Sequence, residues 1–152
     1  MPLPISTPLP SLSDAVLWLN AETAPICTEG PVLVHFWAMS CPACKANMPA
    51  LQELRDSYQP YGLQTLAVHM PRGDFDLDLE RLQQTGTELG ITEPCAADNT
   101  HAIGDRFQTG GVWPVYFLFG PDLRLKRHAA GGFGVRMIKV GVEQMFGIGT
   151  KS

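Results

Sequence analysis

Val32-Leu33-Val34-His35-Phe36-Trp37-Ala38-Met39-Ser40-Cys41-Pro42-Ala43-Cys44-Lys45-Ala46-Asn47-Met48-Pro49 is the stretch whose reading decides the fold. Its first six residues are nearly all apolar, the pattern of a strand buried on both faces of a sheet. Ser40 and Cys41 break the run, and Pro42 stands where a helix best tolerates proline, in its first turn. Cys44 follows Cys41 by one helical turn, so the two sulfurs can share a face and reach bonding distance. Cys41 then falls at the helix cap, where unpaired backbone N–H groups and the helix dipole favour negative charge. A thiol so placed loses its proton more easily, and the thiolate is the nucleophile.

Downstream, the helix from Pro42 is expected to run to about Tyr58. Met48, Leu51, Leu54 and Tyr58 recur at three- and four-residue steps and define its buried stripe, and Pro49 should kink it. A turn at Gln59-Pro60-Tyr61-Gly62 leads to a second apolar strand, Leu63 to Met70. Between Pro71 and Pro94 comes a long crossover in which Asp74 or Asp76 can cap a helix stopped at Gly90. Leu77, Leu79, Leu82 and Leu89 are its candidate core residues. Cys95 to Asp98 reads as a short strand, and Asp98 or Asn99 caps a brief helix ending near Phe107.

Val112 to Phe119 is the third strong strand. Gly120-Pro121-Asp122 forms a hairpin turn to its partner Leu123 to Ala130. A last helix to about Phe146 buries Val135, Ile138, Val142 and Met145. Upstream, residues 1–12 are proline-rich and extended along the surface. Ser13-Asp14 can cap a short helix or turn through Trp18 and Leu19, and Ala24 to Pro31 is a loop. The order β-α-β-α-β-α-β-β-α predicts an α/β fold with a mixed central sheet flanked by helices.

At 152 residues the chain is expected to form a single domain. With 45% hydrophobic and 17% charged residues it has an ordinary globular composition, and a net charge of −4 gives no basic footprint for nucleic acid. No apolar stretch approaches the roughly 20 residues that cross a bilayer. The segment MPLPISTPLPSL lacks the basic residues and apolar run of a secretory signal. The four cysteines offer one close pair, too few for a disulfide scaffold. Together these features favour the cytoplasm, with no membrane and no nucleic acid as partners.

The pattern FWxxxCxxCKxxxP, followed by a proline opening an apolar strand (Trp113-Pro114-Val115-Tyr116-Phe117) and a terminal hairpin and helix, resembles the thioredoxin superfamily. The N-terminal extension and the insert at 71–94 resemble its TlpA/ResA-type thiol–disulfide oxidoreductases. Trp18-Leu19-Asn20, His35-Phe36-Trp37, Ser40-Cys41, Ala67-Val68-His69-Met70-Pro71-Arg72 and Ala130-Gly131-Gly132 are similar to the small YkuV-type branch. Residues 15 to 147 carry the likeness. Four positions depart from the wider pattern. His35 stands where thioredoxins have a buried aspartate, Ser40 where most relatives have tryptophan, and Asn47 where ResA-type proteins of cytochrome c maturation have glutamate. Trp113 is unusual before the family's proline.

The resemblance implies thiol–disulfide exchange, with disulfide-containing proteins as substrates, an upstream dithiol as electron donor and no cofactor. Cys41 would attack the substrate disulfide, and Cys44, the more buried, would resolve the mixed disulfide. Pro114 resembles the family's cis-proline, and the Trp113 backbone would pair with an extended substrate segment. Pro42, with Ala43, tunes the thiolate, and Trp37 shields the pair. His35 is either a proton relay to Cys44 or a core histidine with a satisfied hydrogen bond. Cys27 and Cys95 have no partner by spacing. Two other functions stay open: a peroxiredoxin-like peroxidase, although Val34 and Ala38 stand where its motif has proline and threonine, and a metal-binding or interaction module. No metal ligand set is expected, because a second CxxC is missing and His69, His101 and His128 fit no metal spacing.

Overall fold

The computed structural model describes residues 3–147. Met1 and Pro2 of the extended segment, and residues 148–152, lie outside the described residues. The central element is β2, Val32–Trp37, buried at all six positions. It pairs in parallel with β3, Gln64–His69, and antiparallel with β5, Val115–Phe119. Strand β4, Cys95–Ala97, extends the sheet in parallel beyond β3, and β6, Leu125–Ala130, pairs antiparallel with β5. With β1, Leu17–Leu19, the order is β1-β4-β3-β2-β5-β6. The sheet is mixed, as the element order predicts, and the fold is thioredoxin-like.

Successive β2 side chains alternate between two cores. Leu33 and Trp37 face α1 (Pro42–Tyr58), α2 (Leu79–Glu88) and α4 (Gly134–Phe146), whose Met48, Leu51, Leu54, Leu82, Val135, Ile138 and Val142 are buried there. Val32, Val34 and Phe36 face α3 (Ala102–Arg106) and the N-terminal segment, which contributes Leu3 and Leu12. Helix α1 runs unbroken through Pro49, which lies on its exposed side.

Four local readings change. Residues 17–19 form no helix but the edge strand β1, antiparallel to β4. Asn20 ends it by donating to the carbonyls of Ile91 and Glu93. Three residues are too few to show a period. The cap of α2 is Asp78, whose carboxylate accepts from Arg81 N–H at 3.0 Å. Asp74 to Leu77 is a separate 3-10 turn, with Leu77 exposed and Asp76 buried. The third strong strand begins at Val115, after a cis Trp113–Pro114 bond, and its partner begins at Leu125. The N-cap residue of α3 is His101, but Asp98 supplies the capping bonds, its carboxylate accepting from the N–H groups of Ile103 and Gly104.

Residues 3–19 form a belt. Ser6 and Thr7 exchange backbone hydrogen bonds with Leu125, and Leu9 N–H donates to Leu123. Arg106 fastens the middle of the belt through the carbonyls of Ser11 and Ser13 and the Asp14 carboxylate. Its far end is β1, on the opposite edge of the sheet.

Candidate active site

Strand β2 ends at Trp37, and residues 38–41 turn into α1. Cys41 N–H closes the turn on the Ala38 carbonyl at 3.1 Å. Cys41 is the helix N-cap, in extended conformation, and its sulfur accepts from Cys44 N–H at 3.1 Å. Pro42 occupies the first turn, where no N–H is needed. Cys41 and Cys44 are joined in a disulfide, with Cα atoms 5.3 Å apart. Their exposures are 3% and 2%, so burial does not separate them, but the cap position does.

The segment after β3 fixes this turn. His69 Nε2 accepts from Met39 N–H at 3.0 Å, which places the histidine's proton on Nδ1. The Asp76 carboxylate accepts from Ser40 N–H at 3.0 Å and from Ser40 Oγ at 2.7 Å, and Arg72 donates to the Ser40 carbonyl at 2.7 Å. The same segment reaches the loop around Pro114. Trp113 Nε1 donates to the Met70 carbonyl at 2.7 Å, and His101 Nε2 donates to the Pro71 carbonyl at 2.6 Å. Pro114 is buried, and its carbonyl accepts from Gly131 N–H.

The AhpC/TSA family pattern matches residues 21–128. The thiol–disulfide oxidoreductase YkuV of Bacillus subtilis is 39% identical over 140 residues, covering 91% of this chain and 93% of that protein. The chain belongs to the AhpC/TSA family. The thiol–disulfide oxidoreductase ResA of Oceanobacillus iheyensis is 30% identical over 57% of this chain and 43% of its own length. A solution structure of a thioredoxin-like protein in the oxidized form superimposes with a TM-score of 0.82 at 38% identity, over 92% of this chain and 95% of that one. With relatives of this kind and a bonded CxxC pair at a helix cap, this AhpC/TSA protein is a thiol–disulfide oxidoreductase.

The structure brings most of the residues singled out in the sequence to one end of this AhpC/TSA sheet. Trp37 shares a buried cluster with Cys41 and Cys44, and its ring meets His69 edge-on, centroids 4.8 Å apart. Its indole N–H makes no full hydrogen bond, its neighbour being the weakly accepting Cys95 sulfur. Trp113 lies half-buried, pinned by Met70.

His35 points under α1 into a buried chain: its Nε2 lies 2.6 Å from Glu93, whose other oxygen accepts from Arg55 at 2.6 Å. Burial alone would raise the Glu93 carboxyl, but His35 and Arg55 outweigh it and hold it at about 2. His35 is buried, with its Nε2 hydrogen bond satisfied by Glu93. Cys27 and Cys95 are free, and burial pushes the Cys95 thiol up to about 12.

The sequence pattern gives His69, Arg72 and Asp76 no role at the site, although His69 and Arg72 lie in the family-like motif and Asp76 stands as a cap candidate. It does not single out Arg55 or Glu93, 38 residues apart, at all.

Proposed function

We propose that Cys41 is the attacking thiolate and Cys44 the resolving thiol of a protein-disulfide reductase. The observation that carries this reading is the Cys41 sulfur at the N-cap of α1, accepting a backbone N–H. Such a position lowers a thiol's pKa and raises its thiolate fraction. In the reduced protein the Cys41 thiolate attacks one sulfur of a substrate disulfide. A Cys41–substrate disulfide forms, and the other substrate sulfur leaves as a thiolate. Cys44, deprotonated, then attacks the Cys41 sulfur, giving the observed pair and releasing the second substrate thiolate. An upstream dithiol returns two electrons.

Pro114 and the Trp113 backbone, just before the start of β5, would receive an extended substrate segment by strand addition. The Trp113 side chain is occupied with Met70 and leaves that backbone to the substrate. His35, satisfied by Glu93, is here a core histidine and not a proton relay. A cytoplasmic, reducing setting accords with a chain whose only close cysteine pair is the reactive one.

The test is Cys44→Ser, which should accumulate a mixed disulfide between Cys41 and a disulfide-bonded reporter protein. Cys41→Ser should abolish turnover. Cys44→Ser that turns over normally would sink the dithiol mechanism. Peroxide consumption with a Cys41 sulfenate would point to a peroxidase instead.

A further inference from the structure

The segment from His69 to Asp76 hydrogen-bonds the two residues before Cys41, Met39 and Ser40. Ser40 is held at every polar group it has: N–H and hydroxyl on Asp76, carbonyl on Arg72. Asp76 is 1% exposed, and a buried carboxylate is tolerated only when donors surround it. It has three, because Arg72 N–H also donates to Oδ2 at 2.9 Å. An asparagine there would offer one acceptor oxygen to the three donors.

The carboxylate thus stands beside the start of α1, where the helix favours negative charge and where the Cys41 thiolate must form. Two anions at one helix start oppose each other. The Arg72 guanidinium offsets this from a solvent-exposed position, where its charge is screened. The other ionisable groups near the start of α1 on the elements meeting here are Cys44 and Lys45 on α1, His69 on β3, Asp74 on the 3-10 turn, and Asp78, Glu80 and Arg81 at the start of α2.

We propose that Asp76 is a positioning residue for the nucleophile: it holds Ser40 so that Cys41 caps α1, and its charge restrains the Cys41 thiolate and biases the pair toward the disulfide. The proposal rests on Cys41 being the nucleophile. Its consequence is a more reducing protein, since a less stable thiolate makes the dithiol a better reductant.

The test measures the pH dependence of Cys41 alkylation and the midpoint of the Cys41–Cys44 couple in a graded dithiol buffer, for the full chain and for Asp76→Asn and Arg72→Gln. Asp76→Asn should lower the Cys41 pKa. It should favour the dithiol by roughly threefold to tenfold, a shift of up to about 30 mV toward oxidant. Arg72→Gln should move both readouts the other way by a smaller factor.

An unshifted Asp76→Asn overturns the proposal. So do two variants that shift in the same direction, as simple loosening of the turn would produce. If Asp76→Asn does not fold, Arg72→Gln decides: a raised Cys41 pKa supports the proposal, and an unchanged or lowered one overturns it. A wild-type pair in which Cys44 alkylates first overturns the choice of nucleophile as well. Cys41 alkylating first together with an unshifted Asp76→Asn overturns this proposal alone.

Discussion

On one face of β2, Phe36 meets Phe107 and Phe117 edge-on, at ring centroid distances of 5.1 and 5.8 Å. One residue along the strand, on the other face, His35 meets Glu93 and Trp37 leaves its N–H without a full partner. Strand, burial and neighbouring strands are the same on both faces. The first face spends its volume on aromatic packing and holds the sheet together. The second accepts buried polar groups, costly unless satisfied, and it is the one that carries the dithiol. Both faces bury apolar core, but the redox pair and its buried polar groups sit on one side of these six residues and the aromatic cluster on the other.

Substitution on the aromatic face gives the largest expected effect and the sharpest test of that division. Phe107→Ala empties a ring that also contacts Phe119, and should remove about 3–5 kcal/mol of stability. Urea unfolding reads the loss, and the midpoint potential of the folded variant should stay at the wild-type value. A potential displaced along with the stability would break the separation of the two faces.

Acid should act through the polar groups alone. Burial lowers His69 from 6.5 to about 4, and Glu93 is held at about 2 against an ordinary 4.5. Both groups bind protons less readily folded than unfolded. Stability should therefore fall as pH drops through 6.5 toward 4 on account of His69, and from 4.5 toward 2 on account of Glu93, by about 2–3 kcal/mol each. His69→Gln should flatten the upper window and Glu93→Gln the lower, as measured by denaturant unfolding at stepped pH. A Phe107→Ala chain should keep both slopes.

The smallest effect belongs to the contact joining the two loops of the site. Trp113→Phe keeps the ring but loses the hydrogen bond to Met70, at a cost of about 1 kcal/mol. Thermal unfolding should register it, while the midpoint potential should not move.

The strand–turn–helix of residues 32–58 was legible because every level agreed: apolar run, cap, proline and helical stripe. The bounds of β2 and α1 fall where the sequence puts them. The edge strand β1 was not, since its three residues owe their form to β4 and to Asn20. Cys41, Cys44, Pro42 and Pro114 announced themselves by type and spacing. Asp76 did not, because an aspartate before a helical stripe reads as a cap, and here Asp78 takes that role. Its true partner, Ser40, lies 36 residues away, a distance only the closed sheet removes.

The belt of residues 3–19 bears on what this protein can adhere to. Any open sheet edge is a template onto which another extended chain can add, and from which aggregation can spread. Here Ser6, Thr7 and Leu9 pair with residues 123 and 125 at the entry to β6, while Leu17 to Leu19 pair with β4. The same short segment thus lies along both flanks of the sheet, so a nick within it would loosen two margins at once.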